Sequence, residues 1–217
     1  MELILAEKPS AARNFAKALG GKTGNYAGTE YKITNLRGHV MGLLPPDKQV
    51  PTEKVEFYKS WDLENLPWNL NDFAWKKGIL SGCKDIISGL KDELKEADCV
   101  VIATDVDPSG EGELLAWEAL EKCGWRGTTK RMYFADEAPA SVQKAFRERK
   151  TLPSMDKDGD YVKAVVRERW DLASMQFTRA ATLVARKKGF RTVVRQGRLK
   201  SVMIKLTGDQ LKAYNEY

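Results

Sequence analysis

The stretch CVVIATDVDPSGEGE, Cys99 to Glu113, decides how this chain is read. Its first five residues, Cys99 to Ala103, form an unbroken apolar run. Such a run predicts a parallel strand buried on both faces. The rest places four carboxylates, Asp105, Asp107, Glu111 and Glu113, within nine residues. Like charges at that spacing repel, and burying them is costly unless something positive lies between them.

In a parallel α/β sheet, ligands sit beyond the carboxyl ends of the strands. Asp105 and Asp107 stand just past such an end. Residues i and i+2 of an extended chain point the same way, about 6.5 Å apart. That spacing suits two carboxylates sharing a hydrated Mg²⁺, a hard ion that prefers oxygen ligands. Gly110 and Gly112 permit a tight turn, after which Glu111 or Glu113 can add another oxygen. Helix capping accounts for Asp107 ahead of Pro108, but for one acid and not four.

Working outward, Glu2 to Ala6 is a second short apolar run, read as a strand. Glu7 and Lys8 follow it, and Pro9-Ser10 start a helix with Ala11, Ala12, Phe15, Ala16 and Leu19 on its apolar side. If this strand neighbours Cys99 to Ala103, Glu7 and Lys8 face the same crevice. A carboxyl among carboxylates has its pKa raised, which suits a proton donor, and Lys8 suits a phosphate oxygen.

The remaining pattern alternates strands with helices. Tyr31 to Asn35 reads as a strand, Gly38-His39-Val40 as a turn and 47–78 as an aromatic loop region. Trp61, Trp68 and Trp75 there recur every seven residues and read as anchors of a small core rather than base-stacking platforms. Ile79 to Ala97 reads as an amphipathic helix, Leu114 to Leu120 as a helix, Arg131 to Phe134 as a strand and Pro139 to Arg147 as a helix. The fold class expected is α/β, a mostly parallel sheet flanked by helices. Residues 150–160 are turn-rich, and only helical pattern follows. The expected domains are 1–152 and a helical region, 153–217.

Composition sets limits. The 217 residues are 42% hydrophobic, with no apolar run near the length of about 18 that spans a bilayer. The start of the chain lacks a basic region and a long apolar stretch, so no signal peptide is expected. Three widely spaced cysteines, Cys83, Cys99 and Cys123, argue against a disulfide framework and a zinc site, and for a reduced, cytoplasmic setting. The net charge is +6, and Thr178 to Lys200 holds eight basic residues and no acid. A one-signed strip of that kind predicts phosphate binding.

Taken together, AEKPSAA at Ala6 to Ala12 and the ATD-x-D…GE segment at Ala103 to Glu113 resemble the Toprim domain of type IA DNA topoisomerases, the topoisomerase III branch above all. Gly38-His39-Val40 is similar to the family's G-H-L. Arg131 to Phe134 with Pro139 is similar to its R-x-Y-F…T-P segment. Arg167 to Asp171 with Thr178-Arg179 resembles A-R-x-x-x-D…T-R, and Gly197 to Ser201 resembles G-R-V-Q-T/S. The family's acidic motif reads D-x-D-R-E-G-E. Pro108-Ser109-Gly110 stand here where it has one Arg, and an ungapped alignment would put Ser109 in place of Glu111.

The resemblance implies a Toprim fold, Rossmann-like, followed by part of an all-α DNA-binding region. It implies Glu7 as general acid or base, Lys8 on the phosphate, and Mg²⁺ held by Asp105, Asp107 and Glu111, with Glu113 and His39 as further candidates. Arg167, Arg169, Arg179, Arg195, Arg198 and Lys200 would grip single-stranded DNA. The family's nucleophilic tyrosine lies in an R-Y-P-like context of a later domain. Tyr214 and Tyr217 do not match it, so the remaining topoisomerase domains are expected as partners in a longer chain. A nucleoid-associated cytoplasmic enzyme follows, acting on DNA with no membrane. The alternatives are a stand-alone Mg²⁺-dependent Toprim nuclease and a non-catalytic DNA-binding module.

Overall fold

The computed structural model describes residues 1–216. The expectation for Tyr217 lies outside the described residues. In chain order the elements are β1 (Glu2–Ala6), α1 (Pro9–Leu19), β2 (Thr23–Tyr26), β3 (Thr29–Asn35), β4 (Met41–Leu43), α2 (Val55–Lys59), β5 (Lys77–Ile79), α3 (Lys84–Glu93), β6 (Cys99–Ala103), α4 (Glu111–Cys123), β7 (Thr128–Arg131), α5 (Pro139–Arg147), β8 (Lys150–Thr151), α6 (Gly159–Lys187) and α7 (Arg198–Glu216). Short 3₁₀ turns fill several connections. No helix among the described residues is long and apolar enough to cross a membrane.

Two compact units emerge: Met1–Gly42 with Lys77–Arg167, and Leu43–Lys76 with Glu168–Tyr217. The expected division lay at 152/153, whereas these units divide at Arg167/Glu168 and set 43–76 apart from the first unit. The turn-rich stretch before α6 stays with the first unit because the Trp117 Nε1–H donates to Asp158 Oδ2 at 2.8 Å. Asp158 in turn accepts the Asp160 N–H at the start of α6, at 3.1 Å. The aromatic segment 43–76 groups with the helical residues instead.

The first unit holds a six-stranded sheet in the order β2-β3-β1-β6-β7-β8. β1 pairs in parallel with β3 and β6, and β6 in parallel with β7; the edge strands β2 and β8 are antiparallel. The central runs alternate between two cores. Leu3, Leu5, Val100 and Ile102 face α3 and α4, packing with Ile87, Leu90, Leu115 and Leu120. Ile4, Ala6, Val101 and Ala103 face α1 and α5, packing with Phe15, Val142 and Phe146. Every residue of β1 and β6 is buried, as a strand covered on both faces requires.

Two expected elements change. The helix read over Ile79 to Ala97 spans only Lys84–Glu93, because Ile79 belongs to β5 and Gly82 takes a left-handed φ of 76°. The strand read over Arg131 to Phe134 is Thr128–Arg131, since only these residues register against β6.

In the second unit, Val50, Tyr58, Trp68, Phe73 and Leu172 form a small core, with Trp75 packed against it. Trp68 and Trp75 are therefore core anchors, as expected, while Trp61 stays 41% exposed. Gln49 is fully buried and ties the loop together. Its amide donates to the carbonyls of Leu44 at 2.7 Å and Lys76 at 2.9 Å, and its Oε1 accepts the Lys76 N–H at 2.6 Å.

Candidate metal and phosphate site

The strand order reverses about β1, with β3 on one side and β6 on the other. The carboxyl ends at such a switch point open a crevice where ligands bind. Register fixes what meets there: Ala6 pairs with Ala103 and also with Asn35. The residues that follow these partners, Glu7-Lys8, Thr104-Asp105 and the Leu36–Val40 turn, are thus brought to one rim. The Leu36 N–H donates to the Ala6 carbonyl at 2.9 Å and the Gly38 N–H to the Glu7 carbonyl at 3.0 Å, holding the turn against the end of β1.

At this rim Glu7 Oε2 accepts the Asp105 N–H at 3.1 Å. Lys8 Nζ lies 3.2 Å from Asp105 Oδ2, with both side chains nearly half exposed. The Asp105 contact is the main cause holding the Lys8 ammonium above its ordinary pKa. Glu111 opens α4 and is gripped twice: His39 Nε2 is 2.7 Å from its Oε1, and Arg167 Nη1 is 3.1 Å from its Oε2. Arg167 thus belongs to the acidic site, on the first turns of α6.

Asp107 shapes the turn. Its Oδ1 accepts the Ser109 N–H at 2.7 Å and also the Ser109 hydroxyl, and its Oδ2 accepts the Gly112 N–H at 3.3 Å. Burial pushes its pKa up, but the hydrogen bonds from Ser109 and Gly112 outweigh that and leave it below the usual carboxylate range. The two glycines are needed for close approach. A Cβ on Gly112 would stand 2.1 Å from the Asp105 carbonyl oxygen. Gly110 has φ +75°, and a Cβ there would stand 2.1 Å from the Asp160 carbonyl oxygen.

Glu113, a further candidate ligand from the sequence, is buried beside Arg131. It is 2% exposed, and its Oε1 accepts the Arg131 Nε–H at 2.6 Å. Arg131 is fully buried and also donates to the carbonyls of Thr104 at 2.7 Å and Asp105 at 3.1 Å. The sequence pattern puts Arg131 at the start of a strand and gives no sign of which acid it meets; the structure makes it the last residue of β7, beside β6.

The three carboxylates Asp105, Asp107 and Glu111 are all-oxygen donors of the kind Mg²⁺ prefers. The donor set fits a hard divalent cation in kind. In their present side-chain positions they do not converge: no group of three or more His, Cys, Asp or Glu arranged to hold a metal occurs among the described residues. Lys8, Ser109, His39 and Arg167 supply the compensating contacts instead.

The basic residues of the second unit separate into kinds. Arg179, expected on a DNA-gripping surface, is 7% exposed. Its Nη1 donates to the carbonyls of Tyr58 at 2.6 Å and Ser60 at 3.0 Å, and its guanidinium lies 4.7 Å from the centre of the Trp68 ring. Arg198 is exposed but forms a two-pronged pair with Asp171, at 2.7 and 3.0 Å. Arg169 lies over Trp75 at 5.1 Å. Arg195 and Lys200 are exposed, as are Arg186, Lys187, Lys188 and Arg191.

The Toprim domain family model matches residues 2–136. The chain is 30% identical over 151 residues to DNA topoisomerase 3 of Staphylococcus epidermidis, covering 68% of this chain and 20% of that protein. It is 29% identical over 184 residues to DNA topoisomerase 3 of Bacillus subtilis, covering 83% of this chain and 24% of that protein. The chain thus spans between a fifth and a quarter of the length of these curated relatives. Full-length topoisomerase I of Thermotoga maritima superposes with a TM-score of 0.47 at 21% identity, covering 69% of this chain and 21% of that one. With the switch-point crevice and its acidic turn accounted for, the chain belongs to the Toprim domain family.

Proposed function

We propose that this chain supplies the Toprim part of a type IA DNA topoisomerase, with the catalytic tyrosine on a domain beyond it. The observation that carries the reading is the meeting of Glu7, Lys8 and Asp105 at the carboxyl ends of paired β1 and β6. A hydrolytic nuclease would need the same acids, but the relatives named DNA topoisomerase 3 match well past the Toprim region.

In this reading the Lys8 ammonium holds a phosphate oxygen of single-stranded DNA, since it is charged at neutral pH and half exposed. Glu7, at the same rim, moves a proton to or from the leaving sugar oxygen. Asp105, Asp107 and Glu111 hold Mg²⁺, with Glu111 released by His39 and Arg167. The bound ion would offset the carboxylate repulsion and order the cleaved ends for rejoining. The exposed cations Arg186 to Lys200 bind phosphates along the strand without reading bases.

A single-stranded oligonucleotide labelled at its 3′ end tests this, with and without Mg²⁺, on native and denaturing gels. Binding that falls steeply with salt, with the DNA recovered intact, is expected. A protease-sensitive adduct bearing the label would place a nucleophile in this chain. Shortened free DNA that requires Mg²⁺ would make it a nuclease. Binding insensitive to salt would contradict the phosphate-binding surface.

A further inference from the structure

Glu113 and Arg131 carry charge in the driest part of the first unit, yet neither reaches the crevice. Taking such a pair out of water costs several kcal/mol per ion unless further hydrogen bonds satisfy it, so its place needs a reason. Arg131 has that satisfaction, and the identity of its partners is informative. Its Nε is committed to Glu113. Its Nη1 donates to Thr104 O at 2.7 Å and, more weakly, to Ile102 O at 3.4 Å; Nη2 donates to Asp105 O at 3.1 Å. These carbonyls line the last step of β6 and the first residue of the acidic turn. Ile102 O already accepts the Met132 N–H at 3.0 Å, whereas the Thr104 and Asp105 carbonyls lie past the paired residues, and here a side chain from β7 supplies their donor.

Two further contacts close the frame. Thr104 Oγ1 donates to the Gly112 carbonyl at 2.7 Å, and the bare Cα of Gly112 rests against the Asp105 carbonyl. The backbone bearing Asp105 is therefore fixed from the Arg131 side, and the start of α4, bearing Glu111, from the Thr104 and Glu113 side. Glu113 sits one helical step beyond Gly112 and neutralises the Arg131 charge that makes the clamp possible.

We infer that Glu113 and Arg131 are positioning residues, a buried brace that fixes the backbones bearing Asp105 and Glu111, the acids read above as cation ligands. The inference rests on the metal-binding reading above. It assigns the fourth carboxylate of the cluster to the brace and not to the ion. Outer-shell partners of this kind change metal affinity about 10- to 100-fold when lost.

The test uses Mn²⁺ as probe, with free ion counted by electron paramagnetic resonance, on the wild type, Arg131→Lys, Glu113→Gln and the double variant Glu113→Leu/Arg131→Met. The double variant replaces the ion pair by apolar side chains but leaves the Thr104 and Asp105 carbonyls without that donor, so its fold is checked first, and Arg131→Lys, which keeps the charge, separates positioning from stability. Far-ultraviolet circular dichroism and metal-free oligonucleotide binding serve as controls. The expected result is a Mn²⁺ affinity at least about 10-fold weaker in the double variant, with an intact fold and unchanged metal-free DNA binding. Arg131→Lys, which keeps the charge but loses the fork, weakens Mn²⁺ to a similar degree. Wild-type affinity in the double variant would overturn the brace while leaving the metal site standing. Wild-type protein that binds no Mn²⁺ would overturn both.

Discussion

Lys8 Nζ lies 3.2 Å from Asp105 Oδ2, across the seam where parallel β1 and β6 end together. The carboxylate raises the Lys8 pKa, so the ammonium persists through neutral pH. For a raised lysine, the interaction is fully present below the unfolded value near 10.4 and fades as pH rises through the folded one. Lys8→Ala is expected to weaken single-stranded DNA binding, and to shallow the log–log salt slope by about 0.7 if one phosphate contact is lost. Fluorescence anisotropy at several salt concentrations checks this. An unchanged slope would remove Lys8 from the phosphate site.

Asp107 behaves in the opposite sense. Burial raises its pKa, the Ser109 and Gly112 hydrogen bonds lower it, and the net is downward. Its stabilising contribution is present above the unfolded value near 3.9 and lost as pH falls through the folded value. Ser109→Ala removes one of those bonds and is expected to cost about 0.5–1.5 kcal/mol at neutral pH. Urea unfolding at pH 7 and again near pH 3 should show that deficit shrinking in acid.

The glycines give a contrast that sequence position alone would not. Gly20 has φ +95° with nothing within 4 Å of where a Cβ would stand, whereas a Cβ on Gly112 meets the Asp105 carbonyl oxygen at 2.1 Å. Gly20→Ala should cost about 1 kcal/mol, the low end of the penalty for an L-residue in the left-handed conformation. Gly112→Ala should cost about 1–3 kcal/mol or more, since backbone must move. Equal melting temperatures for the two would contradict the close packing of the turn.

In the second unit, Arg179→Met is expected to lower stability by about 1–3 kcal/mol, because the Tyr58 and Ser60 carbonyls lose their donor. Arg195→Ala and Lys200→Ala, both exposed, should change stability by less than about 0.5 kcal/mol. They should instead reduce the salt dependence of DNA binding. Thermal melts paired with anisotropy distinguish the two classes.

Local pattern made much of the fold legible. The apolar run Leu3–Ala6 with Glu2 ahead of it and the fully apolar Cys99–Ala103 become adjacent parallel strands, and Pro9 and Pro139 each stand at the first position of a helix. The acidic turn was visible because charge density at a strand end is physically unusual. What escaped depends on partners far along the chain. Arg131 looks like any strand-end cation until Glu113 is found 18 residues earlier, and both are then buried. Arg179 sits in a basic run, yet its partners, Tyr58 and Trp68, lie more than 100 residues away. Likewise, segment 43–76 carries no helical signal strong enough to announce that its aromatics pack with Leu172.

The most direct test is calorimetric titration of the protein with Mg²⁺, beside the double variant Asp105→Asn/Asp107→Asn. Saturable binding to the wild type, abolished or weakened at least about 10-fold in the variant, is expected. Identical titrations for the two proteins, or no binding to either, would contradict a metal site at the acidic turn.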